Sequence, residues 1–192
     1  MFSGIITNIG KIILFDKINY EIGIESSLKN LQIGESICCS GICLTVAKKN
    51  KNYFFCNLSS ETIKKTNLSS KQIGDFINLE RSLKVGSEIS GHFVFGHVDG
   101  MIIVKKIVNI GDSVIINFKT NRKIEKFLID KCSISIDGVS LTVNDVRKNN
   151  FCVSIIPHTW ENTTLKVLKE NDRVNVEIDM LARYVFKAIG KS

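Results

Sequence analysis

Two short strings, Gly41-Ile42-Cys43-Leu44-Thr45-Val46 and Gly138-Val139-Ser140-Leu141-Thr142-Val143, carry a thiol in one and a hydroxyl in the other, two residues after a glycine. Glycine permits a tight backbone bend, and the strand residues that follow it alternate between two faces. Cys43 and Thr45 therefore project together, as do Ser140 and Thr142, while Leu44 and Leu141 point the opposite way and are expected to fill a core. A thiol and a hydroxyl are groups that can act as nucleophiles. Gly91-His92 and Gly96-His97 add two imidazoles, which titrate near neutrality and suit proton transfer, and Asp179 adds a carboxylate. Each has a plainer reading beside it. Cys43 suits a small buried strand position, the histidines suit an ordinary loop, and Asp179 suits a cap or a strand-end ion pair.

What sharpens these candidates is duplication. Residues Leu31 to Glu80 return as Leu128 to Glu177 at a constant offset of 97, with sixteen identities in fifty ungapped pairs. Among them are Gly41/Gly138, Thr45/Thr142, Thr62/Thr159, Asn78/Asn175 and Glu80/Glu177. Two copies are too few for a solenoid, so a pair of similar domains related by a pseudo-two-fold axis is expected. The plainer alternative is a copy that only enlarges a core. A hydroxyl at Ser140 answering the thiol at Cys43 argues against it.

Bulk properties bound the class. At 192 residues, two domains of somewhat under about 100 residues each are large enough to bury cores. The six cysteines, Cys38, Cys39, Cys43, Cys56, Cys132 and Cys152, sit mostly in apolar strand-like runs, and the N-terminus has no secretory pattern, so reduced thiols and a cytoplasmic location are expected. Cys38-Cys39 lacks a second pair at ligand spacing, so no metal is expected. No run approaches the roughly 18 apolar residues of a membrane helix, so no membrane association is expected. The net charge of +7 comes mostly from scattered lysines without a basic helix, so no nucleic-acid partner is expected.

β-branched and aromatic runs broken by Gly, Asn and Asp recur in both halves and predict six strands in each. They fall at 5–14, 20–24, 36–39, 44–47, 53–58 and 76–79, then at 101–110, 114–118, 133–136, 141–146, 151–156 and 173–178. Six short antiparallel strands manage their edges best by closing. The expected class is therefore all-β: two tandem six-stranded antiparallel Greek-key β-barrels with short helices and a C-terminal helix. The expected division is 1–90, 91–180 and 181–192. Short helices are predicted after Ser59-Ser60 and at Pro157, with a further matched pair at 122–129 and, by register, 26–31. The helical spacing of Leu181 to Ile189, which has no partner in the first half, marks a candidate oligomerisation helix.

With these features assembled, the chain closely resembles the riboflavin synthase family of lumazine-binding two-barrel proteins. The resemblance is carried by Met1-Phe-Ser-Gly-Ile-Ile6, Gly41 to Val46, Gly91-His-Phe-Val-Phe-Gly-His-Val-Asp-Gly100, Ile136 to Val143, Ile156-Pro-His-Thr-Trp-Glu161 and Val174-Asn-Val-Glu-Ile-Asp179. It departs at Ser3, where Thr is more frequent, at Ser40, where Asn is more frequent, and in a short C-terminal tail.

The resemblance implies that two molecules of 6,7-dimethyl-8-ribityllumazine dismutate to riboflavin and 5-amino-6-(ribitylamino)uracil, without cofactor or metal. It implies a homotrimer, with association with lumazine synthase as a further partner. A first pocket would use Gly4, Ile5, Ile6, Ser36, Cys43, Leu44 and Thr45, with Asn57, Leu58, Ser59, Ser60, Glu61 and Thr62. A second would use Gly96, His97, Val98, Lys131, Ser140, Leu141 and Thr142, with Ser154, Ile155, Ile156, Pro157, His158 and Thr159. Backbone groups near Thr62 and Thr159 would meet the heterocycle's polar edge, and hydroxyls and Lys131 the ribityl chain. Candidate catalytic groups are Cys43, His92, His97, Ser140 and Asp179. Two other classes stay in view: a lumazine- or flavin-binding carrier without turnover, and an oligonucleotide-binding barrel, which would need exposed aromatics and a basic groove.

Overall fold

The computed structural model describes residues 1–190. The first half runs β1 (Asn8–Asp16), β2 (Glu21–Glu25), β3 (Ser36–Cys39), β4 (Ile42–Lys49), β5 (Tyr53–Asn57), α1 (Ser60–Lys65), a 3-10 turn at Asn67–Ser70 and β6 (Phe76–Arg81). The second repeats this order as β7 (Gly100–Ile110), β8 (Ser113–Lys119), α2 (Arg122–Glu125), β9 (Ser133–Ile136), β10 (Val139–Arg147), β11 (Asn150–Ile155), α3 (Pro157–Asn162), a 3-10 turn at Thr164–Val167 and β12 (Arg173–Ile178). A final helix, α4, spans Met180–Ala188.

All pairings are antiparallel, and each half closes into a six-stranded barrel, ordered β1-β2-β5-β4-β3-β6 and β7-β8-β11-β10-β9-β12. The alternation seen in the sequence drives closure. On β4, Ile42, Leu44 and Val46 turn inward while Thr45 faces out, and on β10 Val139, Leu141 and Val143 do the same. These residues join two separate cores, one around Phe54, Ile77 and Leu79 and one around Phe118, Phe151 and Val176. Burying a side chain such as Leu44 contributes about 1.5–3 kcal/mol. Register shifts at Ile12/Leu14 and Val46/Lys48 recur at Val104/Lys106 and Asn144/Arg147, and such bulges add the twist that lets short strands close.

One expected helix is absent. Residues 26–31 are extended or bent, with Asn30 at φ +56, whereas their counterpart opens with Asn121, whose side chain accepts from Lys123 and Ile124 amides and starts α2. The Ser26-Ser27 start makes no such cap here. A short segment without a cap gains too few hydrogen bonds to hold helical dihedrals.

The barrels meet on a polar seam. Ser40-Gly41 and Asp137-Gly138 form two-residue turns with positive φ at both positions, and the Gly41 and Gly138 backbones touch across the axis. Asn78 Nδ2 donates to Asp137 O at 2.9 Å, and Asn175 Nδ2 to Ser40 O at 2.8 Å. The amide of Asn67 donates to Asn175 Oδ1 and that of Thr164 to Asn78 Oδ1. No helix among the described residues is long and apolar enough to cross a membrane.

Candidate functional site

Each turn sends its strand past a segment borrowed from elsewhere in the chain. The Cys43 amide donates to Gly96 O at 3.0 Å, and the Ser140 amide to Gly4 O at 2.8 Å. The borrowed segments are pinned by buried carboxylates. Glu80 accepts from the amides of Ser3 and Gly4 and from Ser3 Oγ, and Glu177 accepts from the amides of Phe95, Gly96 and His97. Burial raises both carboxyls while these amides pull them back down. Gly4 and Gly96 sit at φ +77, and a β-carbon on either would lie within 3 Å of Ser140 or Cys43.

This crossing corrects the expected grouping of pocket residues. Gly4 lies on Ser140, and Ile6 packs against the second core; Gly96 lies on Cys43, and Val98 packs against the first. The physical reason is chain order. The leading segment and the inter-barrel segment each run beyond their own barrel's first strand and pair across the seam, joined to each other by Phe2 and Val94.

The first half-site is a cleft of about 530 Å³ lined by Ile42, Cys43, Ser59, Glu61, Thr62, Lys65 and Thr66 of the first half, Gly96 to Asp99, and Met180 and Arg183 of α4. Its wall is α1, whose cap Ser59 accepts from the Thr62 amide at 2.9 Å. The Thr62 carbonyl accepts from Thr66 Oγ1, and the hydroxyls of Ser59 and Thr62 lie 2.8 Å apart at this wall. At the rim Arg183 Nη2 contacts both Asp99 oxygens at 2.7 and 2.9 Å, and Lys65 pairs with Glu61. Ser36 pairs directly with Thr45 in the hairpin register, so it shares the outer face of Cys43 and Thr45.

The second half-site centres on Ser140, whose Oγ lies 2.7 Å from His92 Nδ1. Burial holds the His92 imidazole below its ordinary value, with the charge of Asp179 opposing, so the ring is neutral near pH 7. Asp179 is the cap of α4, accepting from the Leu181 amide. α3 stands where α1 stands in the first half. It begins at Pro157 with no side-chain cap, leaving the His158 and Thr159 amides without a side-chain acceptor among the described residues. The His158 carbonyl accepts from Asn162 Nδ2, and the Thr159 carbonyl from Thr163 Oγ1.

The two histidines are thus separated, His92 with Ser140 and His97 in the cleft of Cys43. Leu44, Leu58, Leu141 and Ile155 turn their side chains into the cores, and Ile156 is exposed. Ser154 and Asn57 are exposed at strand ends before the two helices. Lys131, at φ +71, binds Asn144 Oδ1 at 2.7 Å, two steps along the outward face of β10 from Thr142. The sequence reading missed Glu80, Glu177, Asn78, Asn175 and Asp137. A signal existed, because a polar identity repeated inside an apolar strand is an unusual thing to copy.

Duplicated barrels, with a cleft at the Cys43 hairpin and the Ser140–His92 pair at the equivalent hairpin, define a two-domain small-molecule-binding protein. The lumazine binding domain family matches this chain twice, at residues 3–82 and 95–179. Riboflavin synthase of Brucella abortus is 42% identical over 96% of both chains, that of Escherichia coli 38% over 93% of this chain and 87% of its own, and that of Bacillus subtilis 34% over 100% and 91%. The chain belongs to the riboflavin synthase family of lumazine-binding proteins. Among solved structures, LumP complexed with 6,7-dimethyl-8-(1'-D-ribityl) lumazine superposes with a TM-score of 0.82 at 20% identity, and LumP complexed with riboflavin with 0.84 at 21%; each covers 93% of this chain and 99% of its own. At that identity they establish the fold.

Proposed function

We propose that this protein is a riboflavin synthase, a transferase that moves a four-carbon unit between two molecules of 6,7-dimethyl-8-ribityllumazine to give riboflavin and 5-amino-6-(D-ribitylamino)uracil. The observation that carries this reading is that one chain holds two related half-sites, Cys43 with His97 and Ser140 with His92. Two identical reactants call for two similar receptacles, and holding them face to face supplies effective molarity worth about 7 kcal/mol or more. The full-length relatives carry the same activity in their names.

Within one chain the cleft around Cys43 is lined by neither Ser140 nor α3. In this reading the reacting pair forms between copies, the first half-site of one facing the second half-site of its neighbour in a homotrimer. α4 is suited to hold the copies together. Phe186 packs on Phe127 at 4.8 Å and Arg183 binds Asp99, while Leu181, Tyr184, Val185 and Ile189 form an exposed stripe at helical spacing. The barrels of 1–90 and 91–180 act as the two ligand-binding units, each completed by the segment that crosses from the other, with 181–192, whose last two residues lie outside the described ones, as the assembly segment. Lumazine synthase, which would supply the substrate, is a further partner in this reading, and the reduced cysteines suit a cytoplasmic setting.

In the reaction, an acidic ring methyl of one lumazine loses a proton and the carbanion attacks the other molecule. Neutral His92, held by Ser140, is placed to move that proton, with His97 as its counterpart in the facing half-site. Cys43, Ser140 and Asp179 assist addition to the donor ring. The test is incubation of the purified chain with the lumazine alone. Flavin absorbance should rise to half the molar amount of substrate consumed; bound, unchanged lumazine would mean a carrier instead.

A further inference from the structure

Cys38 and Cys43 face each other across the β3–β4 hairpin. The turn fixes how closely. Ser40 and Gly41, both at positive φ, close a two-residue loop, so Cys39 and Ile42 are the hydrogen-bonded pair beside it and Cys38 and Cys43 the non-bonded pair next along. The Cys43 amide fits that phase, since it donates outward to Gly96 O and not across the hairpin. Such pairs bring Cα atoms to about 4.5 Å with both side chains on one face, inside the roughly 4.4–6.8 Å that a disulfide spans. No other strand pairing among the described residues sets cysteine against cysteine: Cys39 faces Ile42, Cys56 faces Ile22 and Val46, and Cys152 faces Asn117 and Asn144.

The two sulfurs have different surroundings. Cys43 lines the first cleft and is half-buried. Cys38 is 1% exposed beneath Phe2 and Val94, and burial pushes its thiol well up from the ordinary value. It is shielded from solvent oxidants and within reach only of its neighbour. The copied position carries Ser135 opposite Ser140. There Ser140 Oγ bonds His92, and Ser135 Oγ is buried without a partner. Hydroxyls at that point undergo no thiol exchange, so the duplication has left one oxidisable pair and one inert pair at the same place in two matching half-sites.

We propose that Cys38 and Cys43 form a reversible dithiol–disulfide pair that closes the first half-site in response to a low-molecular-weight disulfide of the glutathione type. The Cys43 thiolate attacks one sulfur of the oxidant, whose S–S bond breaks and releases one thiolate. Cys38, losing its proton, then attacks the Cys43 sulfur of the mixed disulfide and expels the second. Both thiolates take up the protons given up by the cysteines, so one oxidant becomes two thiols as two cysteine thiols become one disulfide. The new bond turns Cys43 Sγ toward Cys38, beneath Phe2 and Val94 and out of the cleft. Formation of the link rests on the hairpin alone, and its effect on turnover rests on the function proposed above.

The full chain is to be treated with oxidised glutathione, then split into portions with and without dithiothreitol, and read by fragment mass and by flavin formation. The expected result is loss of two hydrogens located to Cys38 and Cys43, with turnover falling at least about tenfold and returning on reduction. Cys38→Ser, which installs the residue of the second barrel, should turn over normally when reduced and accumulate a glutathionyl adduct on Cys43 without an internal link. Cys38→Ala serves should the buried hydroxyl impair folding. A glutathionyl adduct that persists on wild-type Cys43, an internal link in either Cys38 variant, or linked protein with full turnover would overturn the proposal. Reduced wild type that makes no flavin would count against the function, while the mass readout would still decide the link.

Discussion

Asn78 and Asn175 are the same residue of the repeat, and each crosses the seam to bond the other barrel's turn, Asn78 to the Asp137 carbonyl and Asn175 to the Ser40 carbonyl. The symmetry breaks at what lies beneath. The Ser40 hydroxyl accepts from the Asn78 amide, but at the matching point the Asp137 carboxyl accepts from the amide of Asn175 and from Asn67 Nδ2. One turn therefore carries a neutral acceptor and the other a titratable one.

Burial pushes Asp137 from 3.8 up to about 7, against the pull of these donors. A carboxyl raised on folding keeps its proton in the native state while the unfolded chain has released it, so stability falls as pH rises between about 4 and 7 and is level above. Asp137→Asn keeps an acceptor at Oδ1 and removes the ionisation. Denaturant titrations at pH 5 and 8 should show a flatter dependence in the variant, the wild type losing about 2–3 kcal/mol more than the variant between those two pH values. Parallel slopes would show that Asp137 ionises freely in the fold.

Gly96→Ala should damage one half-site and spare the other. The residue is at φ +77, and a new methyl would lie 2.5 Å from Cys43 Cβ, so the segment must move off the hairpin. Strain of this kind costs on the order of 1–3 kcal/mol. Calorimetric titration with a non-reacting lumazine analogue should show two sites per chain reduced to one, and Gly4→Ala should remove the other site. Equal weakening of both sites by either variant would show that the clefts are not independent.

His92→Gln leaves a side chain able to bond Ser140 Oγ but unable to exchange a proton near neutrality. Turnover should fall by about a hundredfold or more, with analogue affinity changed little. Because the folded imidazole is held below its ordinary value, the wild-type acid limb should lie below about pH 6.5, and the variant should lose it. An unchanged pH profile would assign the proton transfer to His97 or to the substrate itself.

Much of the architecture could be read from the residues because its causes are local. Period-two alternation in Ile42-Cys43-Leu44-Thr45-Val46 requires a half-buried strand, Ser40-Gly41 and Asp137-Gly138 require tight turns, and the copy at 97 requires a second barrel like the first. Ser36–Cys39, Ser133–Ile136 and Arg173–Ile178 fall at the predicted bounds. The register also carried 26–31 into a helix that lacks a cap, since homology between halves says nothing about a hydrogen bond only one half can make.

Local pattern determined which residues share a face, and so that Cys43 and Ser140 would look outward from equivalent strands. It could not determine which backbone covers them. That Gly4 lies on Ser140 and Gly96 on Cys43, that Glu80 and Glu177 are buried anchors for amides some eighty residues away, and that Cys38 lies beside Cys43 under Phe2 are settled by how two barrels pack. Contacts between residues far apart in the chain depend on the closure of both sheets and on the seam between them, and no window of sequence shorter than the whole contains that information.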